Sequence, residues 1–438
     1  MLQKLTTHIN NNFPFLKDKK LLIAISGGLD SVVLTQLCNE LNFDISLAHC
    51  NFQLREKESD LDEEFVEILS QKSSNQIFIK KFKTEEFAKK NNISIQIAAR
   101  ELRYNWFQEI IEKHNFDYVL TAHHADDNLE TFLINLTRGS GLDGFTGIPK
   151  INGNIARPLL PFSREEILIY AQENKLDWKE DASNASTKYI RNKIRHQVTP
   201  ILKEINPSLL SSFQKTVENL EQSQQIIEDK IGDLSKEIIK KEDAILKFNI
   251  DKILQLSNPK AYLYQFLKEY NFTEWNDVYN LLVAQSGKQV FSKTHRLLKD
   301  RGFLLLSKKG SSINSKISHK ISKEANGITK PIHLTLGEIT EKITENKQTI
   351  YVDKDLLKYP LIVRKWQNGD YIYPTGMQGK KKLSKFFKDE KFSLLEKENT
   401  WLLCNNNNDI IWVINHRQDR RFDIKSSTKE IIKILTKN

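Results

Sequence analysis

Apolar and polar positions along this chain follow two rhythms, and the change from one to the other divides it. Residues 21–25, 45–48, 76–82 (through Ile77 and Ile79) and 118–122 are short apolar runs, the first stopping at Ser26-Gly27-Gly28. Runs of this length bounded by polar residues read as buried strands. Residues 60–69 instead place Leu61, Phe65, Ile68 and Leu69 on one helical face. Strand–helix alternation predicts a parallel sheet covered by helices on both faces. Ligands of such sheets sit beyond the carboxyl ends of the strands, where Ser26, His49 and the stretch after Ala122 all fall. These three places are therefore read as one site.

The rhythm changes near Pro200 and Pro207. Residues 209–248 carry a helical pattern with Lys and Glu interleaved, 261–270 and 275–283 read as further helices, and 287–307 as hairpin-like strands. Residues 308–330, rich in Ser, Lys and Asn, read as a linker or exposed loop. The last stretch mixes short strands at 361–363 and 410–413 with a basic segment, and Asn405 to Asn408 form a polar turn. The expected organisation is an α/β catalytic domain over 1–207, a mainly helical middle domain over 208–307, a linker over 308–330 and a small α+β domain over 331–438. A chain of 438 residues is too long for one ordinary core.

Composition narrows the function classes. A formal net charge of +10 favours a polyanionic partner such as nucleic acid, although a Lys-, Asn- and Ile-rich genome produces the same balance. Cys38, Cys50 and Cys404 are far apart and form no CxxC pair, which excludes a locally encoded zinc ribbon or redox pair. No uncharged apolar run approaches the ~18 residues of a membrane span. The polar N-terminus carries no apolar signal region. A soluble, cytoplasmic protein with no membrane partner is expected.

The most specific chemistry lies in Ser26-Gly27-Gly28-Leu29-Asp30-Ser31, between a strand and a helix. Glycines let the backbone approach an anion, and a helix N-terminus presents converging N–H groups and a favourable dipole. Ser26 and Ser31 add hydroxyl donors. Asp30 would repel phosphates unless a cation lies between, which makes it a candidate Mg²⁺ ligand. The Gly-Lys-Ser/Thr ending of a Walker loop is missing. Asp127 and Glu130, three apart on a helix, place two carboxylates on one face, an arrangement that suits an ammonium group. Arg100 and Arg103 are likewise three apart and suit phosphates, or simply a solvated face. His123, His124, Asp126 and Asp127 are adjacent pairs that point apart, with no distant ligand set to complete a transition-metal site.

The SGGxDS string resembles the pyrophosphate-binding loop of the N-type ATP pyrophosphatase (PP-loop) superfamily. Within it, four further segments resemble the tRNA(Ile)-lysidine synthase family: His49-Cys50-Asn51-Phe52 with Glu58-Ser59-Asp60; Ala98-Ala99-Arg100-Glu101-Leu102-Arg103; the run from Thr121 to Thr131 with Arg138-Gly139-Ser140-Gly141; and Arg157-Pro158-Leu159-Leu160 with Asp181, Ser183, Asn184, Tyr189, Arg191 and Arg195. Weaker echoes follow at 287–306 and 364–422, including Lys380-Lys381-Lys382, Lys385 and Arg417.

The resemblance implies an enzyme that uses ATP and Mg²⁺ to adenylate the wobble cytidine of the isoleucine tRNA with a CAU anticodon. Free L-lysine then displaces AMP. It implies ATP contacts from Ser26 to Ser31, His49 and Arg100, and lysine contacts from Asp127, Glu130 and Arg195. Catalytic roles fall on Asp30, Asp127, Glu130 and Arg191, and tRNA contacts on Arg103, Arg138, Lys380, Lys381, Lys382, Lys385 and Arg417. A homodimer is also implied. From its residue type alone His49 reads equally well as a surface histidine, and the lysine run as a solvated one. The rival is a tRNA thiolase of the same superfamily, whose sulfur delivery needs the paired cysteines or cluster that this chain's spacing does not offer.

Overall fold

The apolar runs form strands because both of their faces are covered. In the computed structural model all residues are described except 56, 181–189, 243, 310–317, 341–347, 376 and 438. Asp181, Ser183, Asn184 and Tyr189 of the sequence motif thus lie outside the described residues. The chain divides into two compact units, Met1–Glu228 and Asp229–Asn438.

In the first unit, strands β1 (Lys20–Ala24), β2 (Asp44–Asn51), β3 (Gln76–Lys81), β4 (Tyr118–Leu120), β5 (Ile151–Asn152) and β6 (Ile155–Ala156) make one sheet in the order β3-β2-β1-β4-β6-β5. All neighbours are parallel except the β5–β6 pair. Leu21 pairs with both Ile45 and Tyr118. Leu21 and Ile23 pack into a core with helices α1 (Leu2–Asn12), α2 (Leu29–Glu40) and Arg164–Glu173. Leu22 faces the opposite core, with Trp106, Phe107 and Ile110 of the helix Ile95–His114. Period-two alternation inside an all-apolar strand is what a doubly covered parallel sheet requires.

The helix Lys57–Lys72 meets this unit differently from the face read in the sequence. Val66 is fully buried, Phe65 and Leu69 are partly so, and Leu61 and Ile68 stay exposed. The chain leaves β1 toward β2 and β3 on one side and returns to β4 on the other. That reversal opens a crevice at the carboxyl ends of β1 and β4, where open α/β sheets bind ligands.

The second unit begins with a five-stranded antiparallel sheet in the order Ile239–Glu242, Ile245–Asn249, Phe303–Lys308, His295–Asp300, Gln289–Phe291. The helices Pro259–Leu267 and Trp275–Asn280 share its core. The hairpin read at 287–307 is thus part of a larger sheet, and the long helix Leu209–Ile238 stops before 248 to supply its first strands. Beyond it lie a five-stranded and a four-stranded antiparallel sheet. Two of their strands, Ser318–Ile321 and Gly327–Ile328, come from the stretch read as a connector, and the single apolar Ile321 anchors the first by full burial. Among the described residues no helix is long and apolar enough to cross a membrane.

Candidate active site

The loop after β1 is braced from within. Ser31 Oγ donates to the Gly28 carbonyl at 2.9 Å, lies 3.2 Å from Ser26 Oγ and accepts the Ser26 N–H at 3.2 Å. The Gly28 N–H also donates to Ser26 Oγ at 3.3 Å, so the two serine hydroxyls tie the loop to the first turn of α2. Gly27 sits at φ +85°, and a Cβ there would lie 3.2 Å from Val66 Cγ2 and 3.3 Å from Phe65 Cδ1. Its carbonyl accepts the Lys179 N–H at 2.9 Å. The left-handed backbone at 27 therefore favours glycine, and a side chain there would press on Val66 and Phe65. Gly27→Ala is expected to destabilise the protein by about 1–3 kcal/mol. The same change should raise the KM for ATP about tenfold, as the loop shifts. Denaturant unfolding and initial rates check both.

A cleft of about 730 Å³ opens beside the loop, lined by Ser26, Gly28, Asp30, Ser31, His49, Arg103, Tyr104, Thr121, His123, Asp127 and Arg191. His49 is buried, and its Nδ1 lies 3.0 Å from the Ile25 carbonyl. Burial lowers its pKa, which keeps the ring neutral at pH 7. Burial does the same, more strongly, to His123, whose Nδ1 meets Thr121 Oγ1 at 3.0 Å. Leu29 turns its side chain into the core, so only its backbone is offered to the loop. Of the arginine pair, Arg103 lines the cleft with its guanidinium 5.3 Å from the Phe52 ring, whereas Arg100 lies over Tyr104 and is not among the lining residues. Arg138 is exposed at the end of the helix Ala125–Thr137 and does not line the cleft either.

That helix carries the acidic part of the site. Adjacent Asp126 and Asp127 diverge. Asp126 accepts from Lys203 Nζ at 2.6 Å and from the Arg164 N–H at 2.9 Å, tying three helices together. Asp127 turns to the cleft and accepts the His124 N–H at 3.2 Å. Burial acts to raise its pKa, but His124, His123, Arg191 and that N–H outweigh it and hold the carboxyl below the usual range.

Glu130, 1% exposed, meets Arg195 Nε at 2.6 Å and Arg195 Nη2 at 3.0 Å. Arg195 Nη2 also reaches Asp127 Oδ1 at 3.3 Å, so one guanidinium bridges the two carboxylates. Arg191 Nε lies 3.4 Å from Glu130 Oε2, and its Nη2 donates to Thr131 Oγ1 at 2.7 Å. Burial, reinforced by Asp127, raises the Glu130 pKa despite Arg195. The two arginines stand where the helix Ile190–Lys193 passes into a π-helical turn, Ile194–Val198. Such turns often mark functional sites.

His124 joins the two halves of the site. It is 2% exposed, and its Nε2 lies 3.7 Å from Asp30 Oδ2 and 3.4 Å from Asp127 Oδ2. The sequence suggested no role for it beyond the metal ligation rejected there; its spacing to Asp30, 94 residues upstream, is visible only in the fold. Thr131 was equally hidden, since nothing in its pattern marks it as a partner of Arg191. Burial also raises the Asp30 pKa, and among the described residues the buried Asp30 Oδ1 has no hydrogen-bond partner.

The basic residues with an expected tRNA role at 380–385 and 417 lie in the second unit. Lys380, Lys382 and Lys385 are exposed, while Lys381 pairs with Asp389 at 2.8 Å and Arg417 with Glu390 at 3.6 Å. The neighbouring aromatics fall into two groups. Phe386 and Phe387 are buried and anchor the helix Leu383–Asp389, so they offer no face to a base. Tyr371 and Tyr373 take that place: Lys380 lies 4.9 Å from the Tyr371 ring and Arg421 lies 4.5 Å from Tyr373.

The chain is similar to known proteins over nearly its whole length. Residues 1–202 match the model of a PP-loop domain, 240–309 a TilS substrate binding domain and 361–434 a TilS substrate C-terminal domain. Over 432 residues the chain is 40% identical to tRNA(Ile)-lysidine synthase of Bacteroides thetaiotaomicron, covering 98% of both. The chain belongs to the tRNA(Ile)-lysidine synthase family. The synthase of Parabacteroides distasonis is 38% identical with 99% of each chain covered, and that of Bacillus subtilis 27% identical with 92% of this chain and 91% of its own covered. As a lysidine synthase family member the chain is a tRNA-modifying ligase that uses ATP. Its cysteines fit that membership: Cys38, Cys50 and Cys404 are free, and burial pushes each thiol up to about 12, far from the reactive thiolate that sulfur transfer needs.

Proposed function

We propose that this protein joins free L-lysine to C2 of the wobble cytidine in the isoleucine tRNA with a CAU anticodon, changing codon reading from AUG to AUA. The observation that carries the reading is a single cleft holding both a phosphate loop and the Asp127–Arg191 end of a carboxylate–guanidinium cluster.

The cytidine O2 attacks the α-phosphorus of ATP, the bond to the β-phosphate oxygen breaks, and pyrophosphate departs against the N–H groups of the Ser26–Ser31 loop. A wobble base in a single-stranded loop can be splayed into such a cleft at low cost. The ε-amine of lysine, having lost a proton, then attacks C2, and AMP leaves with the former O2. Most of the acceleration comes from positioning and charge stabilisation.

Asp127 and Glu130 beside Arg195 and Arg191 make a charge pattern complementary to a zwitterion. The carboxylates receive the α-ammonium of lysine and the arginines its carboxylate, which leaves the ε-amine free as the nucleophile. Its ordinary pKa of ~10.4 means that a carboxylate gripping the ε-ammonium would hold its proton on.

The orphaned Asp30 Oδ1 fits a cation, and among the described residues no group of three or more His, Cys, Asp or Glu is arranged to hold one alone. Mg²⁺ suits that incomplete set, since it takes one or two carboxylates and fills its shell with phosphate oxygens and water. When bound beside Asp30, it neutralises charge on the phosphates.

Incubation with ATP, radiolabelled lysine and a CAU-anticodon isoleucine tRNA transcript is expected to leave label covalently in the tRNA, with AMP formed in equal amount. ADP as the product, or label only in free lysine, would sink the reading.

A further inference from the structure

Arg296, on the strand His295–Asp300, is only 7% exposed in the second unit. Its guanidinium grips Glu398 as a fork, Nη1 to Oε2 at 2.8 Å and Nη2 to Oε1 at 3.1 Å, while Nε donates to Gln289 Oε1 at 2.8 Å. A bidentate pair of this kind fixes direction as well as distance. Glu398 belongs to the short helix Leu394–Asn399 of the C-terminal region. The same segment is held twice more. Arg301 donates from its guanidinium to the Lys391 carbonyl, and Lys365 Nζ donates to the Asn399 carbonyl at 2.5 Å with the Trp401 ring 4.0 Å away. One six-residue helix is thus pinned both from the middle sheet and from the strand Leu361–Lys365.

The basic surface that carries Lys380, Lys382 and Lys385 lies on and just before the helix Leu383–Asp389, the segment immediately preceding the pinned one. With the Glu398 side chain 28% exposed, the pair adds little net stability, and its distinctive contribution is orientation. We propose that the Arg296–Glu398 fork is a positioning device: it locks the C-terminal basic surface to the middle sheet, so that both meet one tRNA as a single rigid body. The inference rests on the reading that the chain modifies tRNA. Two surfaces already fixed in register lose orientational freedom once on binding, whereas two hinged surfaces lose it twice.

The test uses the full chain with Glu398→Gln, which removes the charge, and Glu398→Asp, which keeps it but shortens the arm. Both variants are expected to raise the KM for tRNA about tenfold or more while kcat at saturating tRNA and the KM for ATP stay within about twofold. The dependence of log KM on log salt should flatten by about 2, as phosphate contacts from the freed surface are lost. A merely structural residue would lower apparent kcat while leaving the KM for tRNA and the salt slope unchanged. That outcome, or an unaltered KM for tRNA, would overturn the proposal. If the wild type attaches no lysine to tRNA, the parent reading fails; the fork is then judged by filter binding of tRNA, where the same tenfold loss is expected and its absence counts against it.

Discussion

Asp30→Asn is expected to lower lysidine formation by about 10²–10³-fold while leaving the melting temperature of the ligand-free protein unchanged or higher. The two halves of this expectation have one origin. Burial raises the Asp30 pKa above its unfolded value, so the native state binds more protons than the unfolded state between those two pKa values. Stability therefore falls as pH rises through that window, and at neutral pH the ionised carboxylate is a liability to the fold. His124 Nε2 is 3.7 Å away from Oδ2, and among the described residues Oδ1 has no hydrogen-bond partner.

Asparagine keeps the shape and discards the buried charge, so the fold loses nothing that the carboxylate contributed. Catalysis loses the anion that would hold a cation against the phosphates. Pyrophosphate release measured beside thermal unfolding separates the two effects. Wild-type turnover in the variant would remove Asp30 from the phosphate site, and a large fall in melting temperature would make the carboxylate a structural group instead.

Glu130→Gln is expected to raise the KM for lysine by about 10–100-fold, with the KM for ATP changed less than about twofold. Glu130 sits at the closed end of the cluster, where Arg195 approaches it at 2.6 Å and Arg191 at 3.4 Å. The amide retains one acceptor for Arg195 Nε but removes the negative charge that, on the proposed reading, Glu130 adds to Asp127 for an ammonium. Leaving Arg195 with a weaker partner costs about 1–3 kcal/mol of stability, which a folded enzyme can absorb. The ATP loop stands on different elements, β1 and α2, so its affinity should be insulated. Equal rises in both KM values would move Glu130 out of the amino-acid pocket and leave it as a support for the whole cleft.

The parts of this protein legible in one dimension share a physical cause. The strands at 21–25 and 45–48 were visible because a sheet covered on both faces needs uninterrupted apolar runs, and the phosphate loop because a backbone turning at φ +85° against Phe65 and Val66 favours glycine. Helical spacing likewise announced that Asp127 and Glu130 share a face. Such signals are local: they depend on residues within one turn or one strand.

What only the tertiary structure decided is what meets that face. Arg195, 65 residues beyond Glu130, bridges the two carboxylates, and His124 lies between Asp127 and Asp30. Arg103, and not Arg100, lines the cleft, and Tyr371 and Tyr373 rather than Phe386 and Phe387 stand beside the basic surface. Charge and aromaticity are written in the sequence, but which side of a helix is buried depends on the partner packed against it. Contacts between distant elements are set by the packing of whole layers, and no pattern within a single element records them.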